Sequence, residues 1–149
     1  MIDLIKKAIG IVDNRFFEGI ALFLARLALA AQFWRSARTK VEEGSFLQMR
    51  DITVDLFRDE YGMPFPEITG LIATYAEHIF PILLVLGLFT RFSAAALFVM
   101  TLVIQLFVYP EAWWNPHIMW FALALILIAR GGGLFALDRL GDRTFGKAD

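Results

Sequence analysis

The sequence has no cysteine. Disulfides, thiolate metal sites, iron–sulfur ligation and thiol redox chemistry by this chain are excluded on that count. Histidine is scarce: His78 and His117 are the two present. No ligand spacing repeats around Glu77, His78 and His117, so no metal site is expected. An excess of positive charge is missing too. A net charge of −1 gives no basic field to attract nucleic acid, which is excluded as a partner. No hydrolase, kinase or dinucleotide motif occurs. Gly131–Gly133 looks superficially like a phosphate loop, but it would follow a helix C-terminus, where the dipole repels anions. Helix termination is the better reading.

What the chain has in abundance is apolar surface. Of its 149 residues 58% are hydrophobic and 15% aromatic, more than a soluble domain of this length carries. The charged residues gather at the ends and within residues 35–67, leaving long apolar blocks between. That distribution predicts an all-α integral membrane bundle of four helices. The expected spans cover about residues 17–34, 68–89, 92–109 and 117–130, in one membrane domain over residues 1–149. Ile2, Ile5, Ile9 and Val12 share a face, so residues 1–15 are expected to form an amphipathic helix in the interface. Ala28-Leu29-Ala30 resembles a signal-peptide cleavage site, but Arg26 interrupts the apolar region such a peptide needs. In the first loop Phe46, Met49, Ile52 and Leu56 recur at helical spacing, which predicts a helix on the membrane or across the bundle end. Gly62, Pro64 and Pro66 end it. Four spans put both termini on one side. Lys6, Lys7, Arg15, Arg91, Arg130, Arg139, Arg143 and Lys147 lie there, which favours cytoplasmic termini.

Ionisable groups inside spans mark the candidate site. Arg26 and Glu77 both fall near the centres of their expected spans. A lone charge at that depth costs roughly 2.5–3.5 kcal/mol on insertion scales, and the two would relieve each other if the first two helices touch. Gly70, Ala73, Thr74, Glu77 and Pro81 share one helical face suited to close packing or a small cavity. Pro81 has no N–H for the Glu77 carbonyl, so a kink with a polar notch is expected. His78 points about 100° away from Glu77. Its expected partners are Gln105 and Thr101 on the third helix. The buried polar site expected is thus Arg26, Glu77, His78 and Gln105, with the kink at Pro81. His117 falls near the mouth of the fourth span, in an interfacial position. A haem held by the two histidines is disfavoured, because their expected depths differ by several ångströms.

FRDEYGMPFP (Phe57–Pro66), ATYAEHIFPILLVLGLFTR (Ala73–Arg91), MTLVIQLFVYPEAW (Met100–Trp113) and ILIARGGGLFALDRL (Ile126–Leu140) resemble the DoxX family of small four-helix membrane proteins. LARLALA around Arg26 fits as well. The family usually closes with Gly-Pro-Gly and then a serine two residues before an aspartate. Here Gly132 replaces the proline and Ala136 the serine, while Asp138 remains. The resemblance implies a multi-pass protein of the bacterial inner membrane. Some relatives resemble a membrane subunit of thiosulfate:quinone oxidoreductase; others associate with superoxide-detoxifying and sulfur-transfer enzymes, or act as eukaryotic cargo receptors. Three roles therefore stay open: a quinone-binding subunit of a redox or sulfur-metabolism complex, a scaffold or cargo-type adaptor, and a small-molecule or proton carrier. In the first, quinone is the expected cofactor and a redox enzyme the expected partner. The bilayer is a partner in all three, and the carrier would work as a homo-oligomer.

Overall fold

In the computed structural model residues 14–140 are described; the helix expected over residues 1–15 and the bases Arg143 and Lys147 fall almost wholly outside them. Helix α1, Arg15–Lys40, starts where the Asn14 side chain accepts from the N–H groups of Phe16 (2.9 Å) and Phe17 (3.0 Å), a side-chain N-cap. Its buried stripe runs Leu22, Ala25–Arg26, Leu29–Ala30, Phe33, Ala37 and Lys40, the spacing of one face of a 3.6-residue helix. The helix therefore continues past the expected end at Trp34, through residues assigned above to the loop. Arg38 and Lys40 in its last turn suit the negative end of the dipole.

The first loop contains less helix than its periodicity predicts. Residues 41–50 close a short antiparallel bridge, Val41 to Met49, around a turn in which Ser45 Oγ accepts from the Leu47 and Gln48 N–H groups. Phe46 and Met49 lie in this turn, outside any helix. Helix α2, Asp51–Asp55, and the π-helical turn Leu56–Glu60 follow. The short polar side chain of Ser45 satisfies the turn locally and wins over the helical pattern.

Helix α3, Pro66–Leu86, begins on a proline at its first positions, and Gly87 closes it at φ 67°. Leu88 N–H donates to Leu83 O (2.9 Å) and Gly87 N–H to Leu84 O (3.0 Å), a Schellman pair that needs a residue tolerant of positive φ. The helix runs without a break through Pro81. Helix α4, Thr90–Val103, continues as a π-helical turn to Val108. Two short turns, Pro110–Ala112 and Trp113–His117, lead into α5, Ile118–Arg130, which stops at Gly131.

Among the described residues four segments are long and apolar enough to cross a membrane: Arg15–Lys40, Pro66–Leu86, Thr90–Val108 and Pro110–Arg130. Helix α1 packs chiefly on α3 and α4 on α5; α1–α5 and α3–α4 contacts close the ring. The central layer is Leu29, Phe33, Leu84, Leu97, Ala124 and Leu127 with their neighbours. Arg130 pairs with Glu18, which puts the end of the fourth span beside the start of the first.

Candidate functional site

Among the described residues the most buried ion pair lies between α1 and α3. Lys40 Nζ donates to Glu77 Oε2 at 2.7 Å, with both residues under a tenth exposed. Side chains on a helix lean toward its N-terminus. In an antiparallel pair the Lys40 stem therefore reaches down into the bundle while Glu77 reaches up, and they meet beside Ser36. Ser36 Oγ accepts a second Lys40 N–H at 2.7 Å. The first loop holds the lysine in place, since the Lys40 carbonyl accepts from Arg50 N–H (3.0 Å) and Thr53 Oγ1 (2.9 Å). A buried pair costs desolvation on both sides and is tolerated only with such supporting bonds.

A cavity of about 340 Å3 opens beside this pair, within the range of small-molecule sites. All four spanning segments contribute to its walls. Its polar lining comprises Gln32, Ser36 and Lys40 from α1, Thr69 and Glu77 from α3, His117 from the fourth span, and Tyr61 and Tyr109 from the connecting segments. The rest is apolar, with Phe33, Met100 and Trp120 among the wall residues. Ile72 on α3 and Val99 on α4 line it too and are 63% and 56% exposed. The cavity therefore opens sideways between α3 and α4, toward lipid.

His117 is oriented by a relay. Gln105 Nε2 donates to the Pro110 carbonyl at 2.7 Å. Only the amide nitrogen can face a carbonyl oxygen, so Oε1 faces His117 Nδ1, 2.7 Å away. Nδ1 must then carry the proton it donates, leaving Nε2 as the nitrogen with capacity for a ligand. Gln105 sits in the π-helical turn of Ile104–Val108, where the wider backbone turn re-aims side chains. Tyr109, between the third and fourth spans, donates to Glu60 Oε1 at 2.8 Å. Partial burial, with Tyr61 and Glu60 beside it, pushes the Tyr109 phenol above its ordinary pKa, so it remains a donor at neutral pH.

Three expectations from the sequence are corrected. Arg26 does not meet Glu77. Its guanidinium donates to the carbonyls of Leu84 (3.1 Å), Val85 (3.2 Å) and Phe135 (2.9 Å), capping the end of α3 and the tail. Leu84 is seven residues beyond Glu77, about 10 Å along the helix, so the two charges lie at different levels. His78 does not turn toward Gln105 or Thr101. Its Nδ1 lies 2.7 Å from the Thr74 carbonyl, and its ring meets Trp34 and Phe46 edge-on, because α3 packs mainly on α1. Thr101 instead donates to Leu97 O in its own helix. His117 is buried rather than interfacial. Gly70, Thr74, Glu77 and Pro81 do form one buried face of α3. Lys40 was missed, although it stands fourteen residues from Arg26, close to four turns of about 3.6 residues each. Among the described residues no cluster of three or more histidines or acids is placed to hold a metal ion.

Comparison with known proteins agrees with this architecture. A family model described as DoxX matches residues 21–110. A protein of Haemophilus influenzae described as an uncharacterized protein is 29% identical over 142 residues, covering 86% of this chain and 87% of its own. No solved structure matches significantly.

Proposed function

We propose the following role for this chain, which belongs to the DoxX family: it is a membrane subunit that binds a quinone-type molecule between its helices and serves a redox or sulfur-metabolism complex of the bacterial inner membrane. The observation that carries this reading is the side-opening cavity of about 340 Å3 with hydrogen-bonding groups on separate walls. A lipid-soluble ring would enter between Ile72 and Val99 without leaving the bilayer. His117 Nε2 and the Glu77 carboxylate are acceptors from different spans, which suits the reduced quinol form, whose ring carries two hydroxyl donors. Apolar walls with a few convergent polar groups are the usual make-up of such sites, and the residues present fit the group.

A quinone supplies two-electron, two-proton chemistry. What this chain contributes is binding and orientation. The Gln105 relay fixes the His117 ring, and the Ser36–Lys40 bonds fix the Glu77 carboxylate. With no cysteine in the chain, thiol and iron–sulfur redox steps fall to a partner subunit. The excess of basic residues toward the two ends of the sequence supports cytoplasmic termini.

The test is purification in mild detergent, followed by extraction and mass spectrometry of bound quinone. Quinone should be enriched over its share of the surrounding membrane, and Glu77→Gln should reduce that enrichment several-fold. A preparation whose quinone content matches bulk lipid would end the proposal.

A further inference from the structure

At the opposite end of the bundle a second, polar pocket of about 530 Å3 lies between the start of α4, the turn after α5 and the tail. Arg91, Arg130 and Arg139 line it. Its one carboxylate is already engaged, because Asp138 accepts the Phe89 and Thr90 N–H groups at 2.7 and 2.9 Å. Arg130 is held by Glu18. Arg91 spends one N–H on the Ile128 carbonyl at 2.9 Å, which offsets the negative end of the α5 dipole. The Arg139 side chain makes no hydrogen bond or ion pair among the described residues. Two guanidinium groups thus retain donors while the nearby acid is spent on backbone.

A second observation points the same way. Thr90 lines the pocket and is fully buried, yet its Oγ1 has no hydrogen-bond partner; Ser93 Oγ, one turn along, is likewise buried and unpartnered. Buried hydroxyls without partners are uncommon and need an explanation. Gly132 packs close against Thr90, and a Cβ there would stand 2.6 Å from Thr90 Oγ1 and 2.4 Å from Ala136 Cβ, so only glycine lets the tail lie beside this hydroxyl. On the rim, Phe89 and Phe92 are about two-thirds exposed, at the level where a bilayer's apolar region gives way to headgroups.

The geometry points to a binding site for a phosphate group, held by Arg91 and Arg139 with Thr90 as a third donor, and the apolar rim favours a phosphate carried on a lipid headgroup. Arginine suits this ligand because its planar fork pairs two N–H groups with two phosphate oxygens. Basic pockets at helix ends are known headgroup sites in membrane proteins. The site is remote from the quinone cavity, so its success or failure is separate from that reading.

Native mass spectrometry of the purified, delipidated protein tests it in three arms: phosphatidylglycerol, phosphatidylcholine and inorganic phosphate. Phosphatidylglycerol should bind at least tenfold more tightly than phosphatidylcholine, with Arg91→Gln and Arg139→Gln each lowering its affinity about tenfold. Thr90→Val removes the hydroxyl at constant shape. It should weaken binding several-fold while leaving the lipid-free unfolding transition in place, which separates loss of the site from loss of the fold. Saturable binding of millimolar inorganic phosphate, lost in Arg91→Gln and Arg139→Gln, without phosphatidylglycerol binding would keep the phosphate site and assign it to a free anion. Equal binding of both lipids with no phosphate effect, or affinities unchanged in all three variants, would overturn the proposal.

Discussion

Replacing Lys40 by Met removes the ammonium that Glu77 Oε2 meets at 2.7 Å and keeps a long unbranched stem in its place. The magnitude follows from burial. Glu77 is 3% exposed, so the variant leaves a carboxylate facing apolar wall with only Ser36 near it. Deleting one member of a buried pair costs roughly 3–5 kcal/mol, about two orders of magnitude or more in the folded-to-unfolded ratio. Glu77→Met alone should cost a similar amount by stranding the ammonium. The double variant should recover most of the loss, because apolar replacement of a whole buried pair is often neutral or stabilising. A coupling energy of about 3 kcal/mol or more is therefore expected. Reversible unfolding in mixed micelles, followed by tryptophan fluorescence, measures all four corners of the cycle. Single losses below about 1 kcal/mol, or a double variant as weak as the sum of the singles, would refute the claim that the two charges are buried against each other.

Other residues give independent checks, each read by the same unfolding assay. Arg26→Lys should behave nearly as badly as Arg26→Leu, losing about 3 kcal/mol, because an ammonium cannot fork to Leu84, Val85 and Phe135 at once. Asp138→Ala should cost about 1 kcal/mol, the worth of an N-cap, since its carboxylate serves the Phe89 and Thr90 N–H groups that start α4. Gly87→Ala should prevent stable folding: φ is +67°, and a Cβ would stand 2.6 Å from Ala136 Cα.

How far the sequence speaks for this molecule depends on the residue asked about. The four spans are legible in hydropathy, because lipid selects long apolar helices regardless of detail. That Arg26 and Glu77 are buried is legible for the same reason: each interrupts an apolar block. Their partners were not. Pairing depends on the relative depth of two helices, and α1 runs six residues past Trp34 to Lys40, which changes what faces what. Arg35, Arg38 and Thr39 look like loop by composition, yet the stripe Phe33, Ala37, Lys40 continues the buried face begun at Leu22. Reading periodicity through the polar stretch would have found Lys40. The His117–Gln105 relay carries no such signal, since it depends on a π-helical turn and on Pro110. The tail is intermediate. Asp138 is visible as a residue retained from the family pattern, whereas its role as a cap for α4 required the fold.

The cavity is the centre of the account, and Trp120 in its wall reports on occupancy. A short-tailed, water-soluble quinone should quench tryptophan fluorescence of the purified protein saturably. Ala76→Phe, which puts a ring into the cavity, should weaken that binding at least tenfold, while Ile79→Phe on the exposed face of α3 should leave it unchanged. Equal, saturable quenching in wild type and Ala76→Phe, or no saturable quenching in either, would contradict the claim that this cavity is the binding site.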